Sequence, residues 1–187
     1  MSLKSDLDTV QERLLVVAAT NLDQDAFLRL IEIYERRISY YIRRLIGDDD
    51  EWTDILQEVW LQAYRRIVSL RVAEAFRVWL YRIAHDQAMT YLRRHRLQER
   101  VAAECAADSP ALHGWDEREA LENAELVHHI LGRLSLPHRE VLTLRFLEDL
   151  SLNDIAEVVG ERLGTIKSRL HYAKAELRRE MEAICHE

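Results

Sequence analysis

Glycine, proline and cysteine are scarce in this chain: five, two and two among 187 residues. A turn-rich all-β fold needs many more glycines and prolines at its hairpins. The two cysteines, Cys105 and Cys185, lie far apart and have no metal-ligand spacing. Neither a disulfide scaffold nor a metal site is expected, and free thiols suit a reducing, cytoplasmic compartment. No run approaches the eighteen consecutive apolar residues of a membrane span, so membrane insertion is not expected. The N-terminus carries acids and no long apolar core, unlike a secretion signal. A glycine-rich phosphate loop is also missing, which argues against a nucleotide-binding enzyme and leaves no cofactor to expect.

What remains is helix-forming. Leu, Ala, Glu and Arg dominate, with 48% hydrophobic and 32% charged residues, a globular composition. Apolar residues recur at helical spacing almost throughout. Leu7, Val10, Leu14 and Val17 mark a first helix, interrupted at residues 21–23. Phe27, Leu30, Ile31, Tyr34, Ile38, Tyr41, Ile42 and Leu45 mark a long second one that stops at Gly47. A third helix is expected over roughly 52–68 and a fourth over roughly 74–97. From 98 to 118 the pattern fails among Ala-rich and acidic residues around Pro110 and Gly114. The chain therefore reads as all-α, with two small helical domains, 1–97 and 119–187, joined by a flexible acidic linker at 98–118. Ala120, Leu121, Ala124, Val127, Ile130, Leu131 and Leu134 resume the periodicity. Pro137 suits a first helical turn, and Ser151 with Asp154 resembles a capping box.

Charge is uneven. The 26 basic and 33 acidic side chains give a net charge of −7, which by itself disfavours nucleic acid. Yet residues 77–100 hold six Arg against Asp86 and Glu99, and residues 162–179 hold six basic groups against Glu176. Two basic segments on an acidic chain point to two anion-binding surfaces.

The second segment lies in a helix-turn-helix pattern. Ala156 is small where two helices cross, and Gly160 can take the left-handed conformation of a tight turn. Ile155, Val159, Leu163, Ile166 and Leu170 supply the apolar contacts. The second helix then offers Arg162, Thr165, Lys167, Ser168, Arg169, His171 and Lys174, donors suited to phosphates and base edges. Further upstream, Asp54, Gln57, Glu58 and Leu61 share one helix face, an acidic surface for a basic partner. Between these, Phe76, Trp79, Leu80 and Ile83 form an apolar stripe. Tyr81, Arg82, Tyr91, Arg93 and Arg94 lie outside it or at its edge, where aromatic and Arg side chains suit unpaired bases and phosphates.

Taken in order, these pieces resemble the extracytoplasmic-function (ECF) group of bacterial RNA polymerase sigma factors, from about residue 11 to residue 181. Asp23, Ala26 and Phe27 match the start of the family's second helix, with Leu22 where Gly is usual. Asp54 to Trp60 resembles the motif that docks on the β′ clamp helices of core RNA polymerase. Phe76 to Ala84 and Tyr91 to Arg94 resemble the promoter-melting, −10-reading helix. Leu136 to Arg145 and Ser151 to Leu177 resemble the −35-reading domain.

The resemblance implies a non-enzymatic factor that binds core polymerase through Asp54, Gln57, Glu58 and Leu61. It implies −10 contacts from Arg71, Tyr81, Arg82, Asp86, Tyr91, Arg93 and Arg94, and −35 contacts from the seven residues of the second helix. Its partners would be core RNA polymerase (β′ clamp helices and β flap), promoter DNA and an anti-sigma factor. Asp86 stands where the family typically has Asn, and the loop 69–75 lacks the family's usual Gly and polar residues. A one-component helix-turn-helix regulator and a helical protein-binding adaptor are the competing readings.

Overall fold

The computed structural model describes residues 3–47, 51–105 and 130–184, all helices and short connections with no strand among them. Helix α1 spans Leu3–Thr20, α2 Gln24–Ile46, α3 Trp52–Arg66 and α4 Phe76–Cys105. Two short 3₁₀ turns, Ile67–Ser69 and Ala73–Ala75, connect α3 to α4. After a helical stretch at 130–133 come α5 (Leu136–Leu142), a π-helical turn (Thr143–Leu147), α6 (Leu152–Val159) and α7 (Leu163–Ile184).

The stripe expected for α2 is largely its buried face: Phe27, Leu30, Tyr34, Ile38, Tyr41, Ile42 and Leu45 are buried, and Ile31 is half-buried at its edge. Phe76, Leu80 and Ile83 of α4 and Val59 and Ala63 of α3 close over it. Edge-to-face aromatic pairs hold the centre, with Tyr34 and Phe76 at 5.5 Å and Phe27 and Trp60 at 6.2 Å between centroids. At the start of α2 the Asp23 carboxylate accepts the Ala26 amide at 3.0 Å, a side-chain N-cap. Gly47 ends α2 at φ +94°, a conformation open to glycine.

Helix α1 ends in a Schellman motif. The Asp23 amide donates to Ala18 O and the Leu22 amide to Ala19 O. That geometry puts Leu22 at φ +69°, which explains why glycine suits this position. A left-handed L-residue costs about 1–2 kcal/mol, and Leu22 is 71% exposed, so its side chain gains little in return. Leu22→Gly should therefore stabilise the protein by about 0.5–1 kcal/mol after glycine's extra unfolded-state freedom is subtracted. Thermal denaturation would show a midpoint about 1–4 °C higher. A lower midpoint would mean that the leucine side chain holds the α1–α2 corner.

Helix α4 runs on to Cys105, so residues 98–105, expected as the start of the linker, are helical. The remaining linker residues, 106–118, and most of the helix expected after them lie outside the described residues, as does the Cys185 side chain. The helix-turn-helix forms as expected. Ser151 Oγ accepts the Asp154 amide and Asp154 Oδ2 accepts the Ser151 amide, a complete capping box. Gly160 turns the chain at φ +72°, ψ +28°. Ile155, Ile166 and Leu170 are buried, but Val158 rather than Val159 is the fully buried valine of α6.

The two halves pack together. Helix α6 lies against α4, while α5 and the π-helical turn lie against α2. Glu140 and Glu148, each 3% exposed, sit in this contact.

Candidate nucleic-acid and partner interface

Helix α3 presents Asp54, Gln57 and Leu61 to solvent, with Glu58 half-buried, while Ile55 and Val59 face the core. The four expected residues thus share one face, as their spacing requires. Gln62 Nε2 donates to Glu58 Oε1 at 3.2 Å, steadying the carboxylate one turn from its backbone. Beside this face lies a groove of about 290 Å³ between α3 and α4. One wall is Glu51, Asp54, Ile55 and Glu58; the other is Gln87, Thr90, Tyr91 and Arg94. Both walls follow the same i, i+3, i+4, i+7 spacing, so two helix faces meet along their length.

The residues expected to contact the −10 element separate into groups. Arg82, Asp86 and Arg93 are exposed and fall on one side of α4 at helical spacing. Asp86 lies one turn from Arg82, and its backbone carbonyl accepts the Thr90 hydroxyl at 2.7 Å. Tyr91 and Arg94 line the groove with α3 instead. Arg71 is exposed between the two 3₁₀ turns. Tyr81 departs from expectation: it does not lie at the edge of the apolar stripe but is fully buried. Its ring stacks edge-to-face on Tyr41 at 5.3 Å, and its hydroxyl donates to Glu148 Oε2. Burial and the Glu148 carboxylate push its phenol pKa far up, so it stays a neutral donor.

Arg162, just before α7, and Lys167, Ser168, His171 and Lys174 on it are exposed, and Thr165 and Arg169 are partly buried. The buried seam of Ile166, Leu170 and Ala173 leaves Arg162, Thr165 and Arg169 along one flank and Lys167, His171 and Lys174 along the other. Ser168 lies between the flanks, its hydroxyl donating to Gly164 O. Glu161 Oε1 accepts from Arg169 at 2.7 Å and fixes its direction. Lys174 lies over the exposed Phe146 ring, 5.4 Å from its centroid, a cation–π contact that draws it toward the π-helical turn.

Sequence reasoning missed the polar cluster between the halves. Glu140 Oε1 accepts the Tyr41 hydroxyl at 2.7 Å and lies 2.7 Å from His85 Nδ1; a carboxylate only accepts, so that nitrogen carries a proton. Arg37 Nε stands 3.9 Å from Glu148. Burial and the Arg44 guanidinium hold the Arg139 pKa down against the opposing pull of Glu140. The available signal was Glu140 itself, an acid one turn from the buried Leu144 and so on the side a core would claim.

Among the described residues no group of His, Cys, Asp and Glu is placed to hold a metal ion. None of their helices is long and apolar enough to cross a membrane.

Comparison with known proteins agrees with this layout. Residues 30–98 match the Sigma-70 region 2 family and residues 130–179 the Sigma-70, region 4 family. The chain is 31% identical to the ECF RNA polymerase sigma factor SigW of Bacillus subtilis over 172 residues, covering 87% of this chain and 92% of that one. It is 33% identical to the RNA polymerase sigma-H factor of Pseudomonas aeruginosa, covering 95% and 97%. It is 32% identical to the ECF RNA polymerase sigma-E factor of Escherichia coli, covering 89% and 92%. The fold also matches two solved complexes. One is the sigma factor RpoE with the anti-sigma factor NepR from Bartonella quintana (TM-score 0.69, 20% identity, 83% of this chain and 96% of that one). The other is CnrH with the cytosolic domain of CnrY (TM-score 0.66, 21% identity, 92% and 98%). With both sigma regions matched in order and relatives of this similarity spanning nearly the whole chain, the protein belongs to the ECF RNA polymerase sigma factors.

Proposed function

We propose that this sigma factor works in the cytoplasm by binding alone, with no catalytic step. Asp54, Gln57, Glu58 and Leu61 dock on the β′ clamp helices of core polymerase, and the C-terminal domain meets the β flap. Arg71, Arg82, Asp86, Tyr91, Arg93 and Arg94 engage the −10 region, with Tyr81 joining only if its buried contact opens. The recognition helix, α7, reads the −35 element as duplex through Arg162, Thr165, Lys167, Ser168, Arg169, His171 and Lys174. An anti-sigma factor covers these surfaces until a signal releases them, a reading supported by the structural relative RpoE, which is bound to the anti-sigma factor NepR.

The observation that carries this reading is the pairing of α3 and α4. An acidic helix face and a basic, aromatic one flank a single groove, so a basic protein partner and an anionic strand could be held side by side. Reconstituted transcription tests it. Core polymerase supplied with this chain should start from promoters it does not use alone, and unchanged output would refute the proposal.

Asp86 should set −10 preference. Its carboxylate cannot donate to a base and repels phosphate. Asp86→Asn should widen or strengthen −10 use in transcription from a promoter library varied at that element. Identical preference and output would make Asp86 a structural or solvated residue.

A further inference from the structure

We propose that Glu140 and Glu148 form an internal latch, with their carboxylates inserted among Tyr41, Tyr81 and His85, that holds the two domains in a closed state unable to read a promoter. This rests on the functional reading above, in which α4 and α7 engage two separate promoter elements.

Three observations support the latch. First, the contact is polar, and both of its carboxylates are hydrogen-bonded. Glu140 takes the Tyr41 hydroxyl and the His85 Nδ1 proton, and Glu148 takes the Tyr81 hydroxyl. The two carboxylates are almost completely buried. Burial of this kind is tolerated only while the hydrogen bonds persist, so the contact is built for one closed geometry and is lost as a unit.

Second, the closed state covers part of the −10-reading helix. Helix α6 packs along α4, and Tyr81 is fully buried with its donor already used.

Third, the closed chain is too short. Elements centred about 25 base pairs apart lie about 85 Å apart along B-DNA at ~3.4 Å per base pair. A compact chain of this length has a radius of gyration of about 16 Å and a diameter near 40 Å. Both helices can engage one promoter only after the domains separate and the three hydrogen bonds break. The latch therefore lowers the apparent affinity for any partner that requires the open form, in proportion to the open fraction.

Small-angle scattering of the full chain, paired with core polymerase titration, tests the latch. The parent should scatter as a compact particle near 16 Å radius of gyration, and Glu140→Ala/Glu148→Ala should reach about 20 Å or more with unchanged helicity. The double variant should also bind core polymerase about tenfold more tightly or better, since the closed population no longer competes. Should it lose helicity, Tyr41→Phe, which removes one donor at nearly constant shape, should give the same changes to a smaller degree. A folded variant as compact as the parent would overturn the latch, as would an expanded variant with parental polymerase affinity. If parent and variants alike fail to bind core polymerase, the functional reading itself falls, a result distinct from an unchanged radius.

Discussion

Glu58→Lys should abolish stable binding to core polymerase and, with it, all promoter-directed transcription. Glu58 sits in the middle of the α3 face, between the exposed Asp54 and Leu61, with its carboxylate steadied by Gln62. A basic partner helix would approach that carboxylate directly. Reversing the charge sets like charges opposite each other at an interface, which costs several kcal/mol. At ~1.4 kcal/mol per factor of ten, the affinity should fall by about a hundredfold or more. The fold should survive, because Glu58 lies outside the apolar seam of Ile55 and Val59 and loses only one partly exposed hydrogen bond. Circular dichroism of the variant checks this, and affinity chromatography against purified core polymerase reads the loss.

Arg169→Ala should fail differently. The variant should keep its binding to core polymerase but lose −35-dependent initiation. Arg169 stands on one flank of α7 with Arg162 and Thr165, and Glu161 holds its guanidinium at 2.7 Å. Removing a base-reading arginine costs about 1–3 kcal/mol. It also leaves the Glu161 carboxylate uncompensated beside the DNA phosphates, which adds to the loss. The ion pair is partly exposed, with side-chain exposures of 25% and 39%, so its own contribution to stability is below about 1 kcal/mol. Transcription from matched promoters with and without an intact −35 element separates the outcomes. Equal losses on both templates would mark Arg169 as a phosphate contact, and no loss would remove it from the DNA-facing surface.

The α-helical architecture could be read from the sequence because its signals are local. The α2 stripe from Phe27 to Leu45 repeats at helical spacing, and it buries as a unit. Two corners were legible from a few residues: Ser151 with Asp154 caps α6, and Gly160 turns into α7. Leu22 was noticed only as a departure, and its left-handed φ shows what the departure costs the chain. Where polar residues carry a helix, the apolar signal vanishes. The end of α4, from Leu97 to Cys105, consequently looked like linker although Gln, Glu, Arg and Ala all favour helix.

The candidate site was only partly legible. Residues whose exposure follows from one helix wheel, such as Asp54, Arg82 and Lys167, were placed correctly on open faces. Tyr81 was misplaced because it is covered by residues distant in sequence, Tyr41 of α2 and Glu148 of the second half. Nothing within residues 76–94 announces that Glu148, 67 positions further on, will accept its hydroxyl. The separation of Tyr91 and Arg94 from Arg82 and Arg93 likewise depends on where α3 lies. Contacts between elements distant in sequence are set by tertiary packing, which periodicity does not encode.

As a promoter-specificity subunit, this chain should bind core RNA polymerase through the α3 face. Titrating purified core polymerase with the parent protein tests it most directly, by gel filtration or fluorescence anisotropy. A stable one-to-one complex is expected, one that Glu58→Lys does not form. This expectation would be contradicted if the parent failed to associate with core polymerase while binding promoter duplex tightly by itself, as a one-component regulator does.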